Sequence, residues 1–484
     1  MNIVEPIFVQ CRNKPAEIAL VAPGTELNII SYGRLARSIN NVCRRAIAAN
    51  LSAGNRVAVF IEDKILHAIV LLALTRLGIV TISGRNKNFS KRFGIDAVIA
   101  DKSFTFPVDK IILADFDWIS GDNRPLDSKY IHRAAPDDLC RIFLTSGTTG
   151  DEKAIAVTHR MLAERIARQN LHFGSTISFS SRVFVDLSLT TSLGFQLLIA
   201  MLWRGGALFV AGGDQATISS FPIYKVQGMV VSPGGLAAVL DAVERRPQYE
   251  CRFDAIWTGG SSLPKALSDR ARMRLSSNLT IAYGSTEATM VASMPAQFWD
   301  GAPGAVGYVF PGINVEITDN EDSRLEAGKE GIVRIKSRWG ATEYLGDPEE
   351  SARAFRDGWF YPGDIGYLTN DNMLVISGRA NSVMNLGGEK VSPEKIEEVL
   401  LAHPSIAQAA VLAMLSDLGL EQQIYALIVP RSDVDANKLR EHCLANMPAQ
   451  FVPSRFITVN EIPKNDTGKI DRQRILELAK SKLN

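Results

Sequence analysis

Polar and apolar positions alternate in two rhythms along the first hundred residues. Over Tyr32–Ala49, Leu35, Ile39 and Val42 recur at helical spacing, with Ala46 behind them. Arg56–Ile61 (RVAVFI) is instead a short β-branched run. His67–Leu77 is helical again, Ile79–Ile82 returns to strand character, and Ala97–Ala100 is a further strand-like run. Strands alternating with helices predict βαβ units and a largely parallel sheet. The rhythm recurs at Leu208–Val210, Met229–Val231, Ala255–Trp257 and Thr280–Ala282. The longest uncharged stretch, Leu187–Trp203, is interrupted by six polar or glycine positions. Its length is at the lower limit for a membrane span, and it reads as a buried core helix.

The pattern changes after about Ser377. Met373–Ile376 reads as a strand ending at Gly378. Ser392 and Pro393 have the character of an N-cap and first helical residue, with Ile396, Val399 and Leu400 on one face behind them. Strand-like Ile406–Leu412 and Ile424–Val429 follow, then a helix over Ala436–Asn446 and a last strand near Phe456–Val459. The expected architecture is α/β: a large N-terminal region (1–378) of stacked, mostly parallel sheets with helices, and a small α+β C-terminal domain (379–484). No internal repeat is visible.

With 484 residues and 46% hydrophobic side chains, the chain has enough apolar material for a substantial core, which excludes disorder as the main account. Lys and Arg total 53 against 52 for Asp and Glu, so no basic excess draws it to nucleic acid or an anionic membrane. Five scattered cysteines without a CxxC pair argue against a disulfide framework or a cysteine-ligated zinc site. The six histidines are dispersed and no HExxH is present. The N-terminus lacks a basic segment followed by an apolar run, so the expectation is a cytoplasmic protein with no membrane span.

Five short segments carry candidate chemistry. Thr145-Ser146-Gly147-Thr148-Thr149-Gly150-Asp151-Glu152-Lys153 follows the apolar run Ile142–Leu144. Its glycines let backbone N–H groups approach an anion, its hydroxyls add donors, and Lys153 adds charge. That composition suits a polyphosphate, and equally a Gly/Thr-rich surface turn. It does not match GxxxxGK[ST], which disfavours a P-loop enzyme. Tyr283-Gly284-Ser285-Thr286-Glu287 follows a strand-like run, and ligands bind at the carboxyl ends of strands in open α/β sheets. There Tyr283 can stack on a base and Glu287 can hold a hydrated Mg²⁺. Asp364, in Tyr361-Pro362-Gly363-Asp364, and Arg379, in Gly378-Arg379, are a carboxylate and a guanidinium able to share a ribose diol. Taken singly, they read as a turn aspartate and a surface arginine. The fifth segment is Pro463-Lys464-Asn465-Asp466-Thr467-Gly468-Lys469.

In this order and spacing the five segments resemble the adenylate-forming (acyl-activating) superfamily of acyl-CoA synthetases, aryl-CoA ligases, luciferases and peptide synthetase adenylation domains. The resemblance spans most of the chain. It also includes Thr258-Gly259-Gly260-Ser261-Ser262-Leu263, Tyr344-Leu345-Gly346-Asp347-Pro348-Glu349 and Asn385–Val391.

The resemblance implies an ATP-dependent, AMP-forming ligase that converts a small-molecule carboxylic acid to an acyl-adenylate and passes it to a thiol. The thiol is CoA or a carrier-protein pantetheine. By the same resemblance, Thr145–Gly150 and Lys153 hold the β- and γ-phosphates, with Thr148 near the metal. Gly259, Gly260, Ser261 and Tyr283 frame the adenine, Gly284 and Ser285 bind the nucleotide beside them, and Thr191 and Gly284 meet the acyl group. Thr286 meets the α-phosphate, Glu287 meets Mg²⁺, and Asp364 and Arg379 take the ribose hydroxyls. Lys469 matches the catalytic lysine, Asn381 the hinge, and Gly387 and Gly388 the thiol tunnel.

Several positions depart from the family pattern. The phosphate loop continues Glu152-Lys153-Ala154 in place of Pro-Lys-Gly. Asn381 stands where Asp or Lys is usual, and Asn tolerates unusual backbone angles. Thr191 falls where an aromatic or His adjoins the reacting carboxylate, and it reads equally as a helix-start threonine. Ser192 stands where α-amino-acid-activating domains carry Asp, which argues against an amino-acid substrate. These departures motivate one competing class, a non-catalytic nucleotide- or acyl-binding descendant. The connection Gly84–Ala97 is shorter than the family pattern. A dehydrogenase is set aside because no GxGxxG follows a strand.

Overall fold

The computed structural model describes residues 2–83, 93–102, 108–146, 152–174, 176–177, 181–210, 215–246, 251–301, 304–382, 384–386, 389–415, 422–464 and 469–483. The segment KILHAIVLLALTR has no polar face, and a helix apolar all round must be buried. Helix Lys64–Arg76 accordingly buries every residue from Ile65 to Arg76. Its one buried charge, Arg76, is bound by Glu5 at 2.8 Å and by Asn40 at 2.6 Å, under the ring of Phe8. This helix, Tyr32–Ala48 and Ser192–Arg204 share one continuous core with inward residues of two sheets, among them Val57, Val59, Val183 and Val185.

Among the described residues, one sheet has six strands, parallel except for the final antiparallel pair Leu139–Ser146 and Glu152–Thr158. The other has fifteen. Its first half is parallel and runs Ile18–Val21, Ala207–Val210, Arg182–Val185, Gly228–Val231, Ala255–Gly259, Leu279–Ser285. From there it turns antiparallel through Thr289–Pro295, Ala305–Val309, Met373–Arg379, Asp364–Leu368 and Gly331–Ser337. The expected parallel sheet is therefore only half of it. The rest is antiparallel, joining strands close in sequence, such as Leu279–Ser285 and Thr289–Pro295, and strands far apart, such as Ala305–Val309 and Met373–Arg379.

Beyond Arg379 the chain forms a three-stranded sheet, Ile406–Leu415, Gln422–Pro430 and Arg455–Thr458, with helices Pro393–Ala402 and Ala436–Asn446. A last helix, Arg472–Leu483, was not apparent from sequence; it buries only Ile475 and Ala479. Ser392 precedes the first of these helices, but its side chain makes no cap bond. Its hydroxyl donates instead to the Ser377 carbonyl at 2.8 Å, fastening the start of this helix to strand Met373–Arg379. All five cysteines are buried and unpaired. No described helix is long and apolar enough to cross a membrane.

Candidate active site

The last parallel strand carries the site. Strand Leu279–Ser285 runs further than expected: Tyr283, Gly284 and Ser285 belong to it and pair with Thr289–Pro295. The anticipated loop is thus a tight hairpin turn, Thr286–Ala288, braced by Ala288 N–H donating to Ser285 Oγ at 3.0 Å. The register shifts between Tyr283 and Gly284, and a Cβ on Gly284 would lie 2.2 Å from the Thr289 carbonyl oxygen. Only glycine lets the two strands close there.

This strand end faces a pair of neighbouring strands. Asp364 and Arg379 are in register, with Arg379 Nε 2.8 Å from Asp364 Oδ1. The Tyr283 hydroxyl donates to the other carboxylate oxygen, Oδ2. Arg379 Nη1 also donates to the Pro362 carbonyl at 2.7 Å. Asp364 is buried whereas Arg379 is partly open, so the pair presents a guanidinium edge to solvent above a fixed carboxylate. Burial raises the Asp364 carboxyl above its ordinary range, opposed by Arg379, the Tyr283 bond and Lys469. Burial, with the Asp364 charge, pushes the Tyr283 hydroxyl well up.

Glu287, at the turn, is buried and accepts from the Tyr344 hydroxyl at 3.1 Å. Lys469, from the C-terminal end of the chain, lies within the field of Arg379, Asp364 and Glu287. Its ammonium is held below the ordinary lysine range by burial and by Arg379. Lys153 is 2.5 Å from Glu350 Oε1 and sits 5.0 Å from the centre of the Tyr344 ring. The structure therefore gathers Tyr283, Glu287, Asp364, Arg379 and Lys469, with Lys153 one ring further out. Thr145 ends in strand Leu139–Ser146, whereas Gly147–Asp151 lie outside the described residues.

Other expected residues stand apart or do other work. Gly259 ends its strand, with Gly260 and Ser261 exposed beyond it. Thr191 is the N-cap of helix Ser192–Arg204: its hydroxyl accepts from Gly194 N–H at 3.1 Å and donates to the Ser188 carbonyl at 2.7 Å. Asn381 lies in the short 3₁₀ turn Ala380–Ser382. Gly387 and Gly388 lie outside the described residues. Asp186 directly follows strand Arg182–Val185. It accepts from Ser232 N–H at 3.0 Å and Ser232 Oγ at 2.8 Å, fixing the start of helix Pro233–Glu244.

Sequence reading missed two arginines that brace the site. Arg165, on helix His159–Gly174, donates to the Trp339 carbonyl at 2.8 Å and the Thr286 carbonyl at 3.3 Å. Arg141, fully buried, holds the Leu189 carbonyl at 3.0 Å and the Thr81 and Ser83 hydroxyls. Neither has a sequence signal, since an arginine in a helix or strand reads as a solvent-facing charge. The role of Tyr344 was likewise unread, although its segment was noted.

Of the gathered side chains, Lys153, Tyr283, Glu287 and Lys469 lie in segments that a family comparison matches, and Asp364 and Arg379 lie between those segments. The AMP-binding enzyme model matches residues 7–345, and the AMP-binding enzyme C-terminal domain model matches 395–469. The chain belongs to the AMP-binding enzyme family. Among its relatives, a 4-chlorobenzoate–CoA ligase of Arthrobacter sp is 26% identical over 504 residues, covering 98% of this chain and 94% of that one. A probable CoA ligase of Humulus lupulus is 30% identical, covering 71% of this chain and 66% of its own. A fatty acid–[acyl-carrier-protein] ligase of Streptomyces coeruleorubidus is 25% identical over 98% of this chain and 96% of its own. In fold, the anthranilate CoA ligase AuaEII, solved with anthranoyl-AMP, matches with a TM-score of 0.85 at 20% identity, over 100% of this chain and 98% of that one. The family member is an AMP-forming acid–thiol ligase by class.

Proposed function

We propose that this enzyme activates a carboxylic acid with ATP, forms an acyl-adenylate, and transfers the acyl group to the thiol of CoA. The observation that carries this reading is the position of Lys469, which comes from the far end of the sequence into the field of Asp364, Arg379 and Glu287.

In the first step a carboxylate oxygen attacks the α-phosphorus, and the bond from that phosphorus to the pyrophosphate oxygen breaks. Two anions must approach, and a cation bridging them offsets both their repulsion and the charge growing at phosphorus. Lys469 fills that role. Asp364, fixed by Tyr283 and Arg379, accepts from the ribose hydroxyls, and Arg379 donates to them, so the nucleotide is aligned before reaction. Thr286, its backbone braced by Arg165, meets the α-phosphate, and Lys153 with the Thr145–Gly150 loop takes the outer phosphates.

Among the described residues no cluster of three His, Cys, Asp or Glu side chains could hold a metal alone. A single carboxylate, Glu287, suits a Mg²⁺ that keeps phosphate oxygens and waters as most of its ligands. Such an ion neutralises charge on the leaving pyrophosphate. In the second step the thiol sulfur attacks the acyl carbon and the bond to AMP breaks.

Residues 1–378 form the nucleotide and acid region, and 379–484 a cap that carries Lys469 in and, turning at Asn381, removes it for the thiol step along Gly387 and Gly388. A cytoplasmic setting, where ATP and CoA are both available, is part of the proposal. Incubating the enzyme with ATP, Mg²⁺, a panel of acids, and CoA or holo-carrier proteins tests it. AMP release that requires both an acid and CoA is the expected result. AMP release with a carrier protein but not CoA would reassign the acceptor, and none under any combination would defeat the reading.

A further inference from the structure

Lys469 enters the site from a short excursion of the chain whose base is fastened. Lys464 and Ile470 face each other there in an antiparallel bridge, and Asp471 N–H donates to the Pro463 carbonyl at 2.9 Å. Lys464 Nζ lies over the start of helix Pro233–Glu244, 3.0 Å from where a Cβ on Gly234 would stand. Arg472, three residues past Lys469, opens the last helix and binds two carboxylates. Its Nη1 donates to Glu397 Oε1 and to the Val411 carbonyl, both at 2.7 Å, and its Nη2 donates to Glu394 Oε1 at 3.1 Å. Glu397 is buried and also accepts from Val411 N–H at 2.8 Å.

The strength of this anchor follows from burial. A buried carboxylate left without a cation is costly, so Glu397 fixes Arg472 as much as Arg472 fixes it. A planar guanidinium with several donors engaged also has its orientation set. The helix it opens buries only Ile475 and Ala479, so apolar packing contributes little to its first turn. Three residues of chain span at most about 10 Å, so a fixed Arg472 confines the Lys469 backbone. Rates are steep in such placement: a shift of about 1 Å at a reacting group costs on the order of a hundredfold. The same cluster borders the ribose pair. Glu394 Oε2, without a hydrogen-bond partner among the described residues, lies 3.5 Å from where a Cβ on Gly378 would stand, next to Arg379.

We infer that Arg472 is a positioning residue for adenylation, holding the segment that carries Lys469 through its bonds to Glu394 and Glu397. This rests on the ligase reading for what Lys469 does there.

The test compares Arg472→Leu and Arg472→Lys with wild type, and adds the double variant Arg472→Leu/Glu397→Gln, which leaves no unpaired charge at Glu397. Two readouts are taken. One is acid-dependent ATP–pyrophosphate exchange with the acid that the panel selects. The other is labelling of Lys469 by acetic anhydride, read by peptide mass spectrometry, which needs no substrate. Arg472→Leu should lower kcat for exchange on the order of a hundredfold, with the KM for ATP little changed. Lys469 should label severalfold faster, while Lys480 and Lys482 label as before. Arg472→Lys should recover part of kcat. The double variant should match Arg472→Leu, and it carries the test if the single variant does not fold. Faster labelling of Lys469, with no exchange even by wild type, would uphold the placement and defeat the ligase reading. Unchanged labelling of Lys469, or exchange at the wild-type kcat, would overturn the inference and leave the ligase standing.

Discussion

Asp364 and Arg379 stand opposite each other on neighbouring strands and are joined by a 2.8 Å ion pair. Tyr283, from a third strand, completes the carboxylate. Hydrogen bonds to a charged group contribute about 1.5–3 kcal/mol each. Asp364→Asn should therefore raise the KM for ATP on the order of tenfold or more, with the KM for the acid little changed. The raised Asp364 pKa adds a pH signature. ATP affinity should fall with acid at a pH above the ordinary aspartate value of 3.8. Steady-state kinetics with ATP varied across pH checks both.

Lys153 is held by Glu350 in a largely buried pair. If it meets the nucleotide phosphates, it must exchange one anion for another. Glu350→Gln should then lower the KM for ATP severalfold, on the scale of an ion pair of about 1 kcal/mol. An unchanged or higher KM would show that Glu350 positions Lys153 instead of competing for it.

Thr191 spends its hydroxyl on capping helix Ser192–Arg204. Thr191→Ala should cost about 1 kcal/mol of stability, the usual loss for a cap. Thr191→Ser, which retains the hydroxyl, should restore it. Chemical denaturation measures this, and a stable Thr191→Ser enzyme with a raised KM for the acid would point to an acyl contact through the lost methyl.

The Lys469 ammonium loses its proton below the ordinary lysine value of 10.5, because burial and then Arg379 disfavour the charge. Adenylation needs that charge. The rate should hold at lower pH and fall as pH rises through the lowered pKa, so the alkaline limb begins earlier than a free lysine allows. For stability the sign is the reverse. The folded state binds this proton more weakly than the unfolded one, so stability rises with pH across the same window. A pH profile of pyrophosphate exchange beside one of thermal stability separates the two.

Much of this was legible from sequence where a residue's chemistry is stated by its neighbours. Lys469, Asp364, Arg379 and Glu287 each sit in a segment that the order and spacing of the family resemblance mark, and the structure brings them together. Arg165 and Arg141 were silent, because a charge in a regular element looks the same whether it faces water or a buried carbonyl. Thr191 shows the converse, a residue marked by alignment whose hydroxyl is engaged locally. The antiparallel half of the large sheet escaped for a similar reason. Its strands take their faces from partners distant in sequence, such as Ala305–Val309 on Met373–Arg379.

The account depends most on Lys469. Acid-dependent ATP–pyrophosphate exchange by Lys469→Ala, measured beside its affinity for an ATP analogue, tests it directly. The account predicts a loss of several orders of magnitude in exchange with nucleotide affinity largely retained. Exchange near the wild-type rate would contradict it.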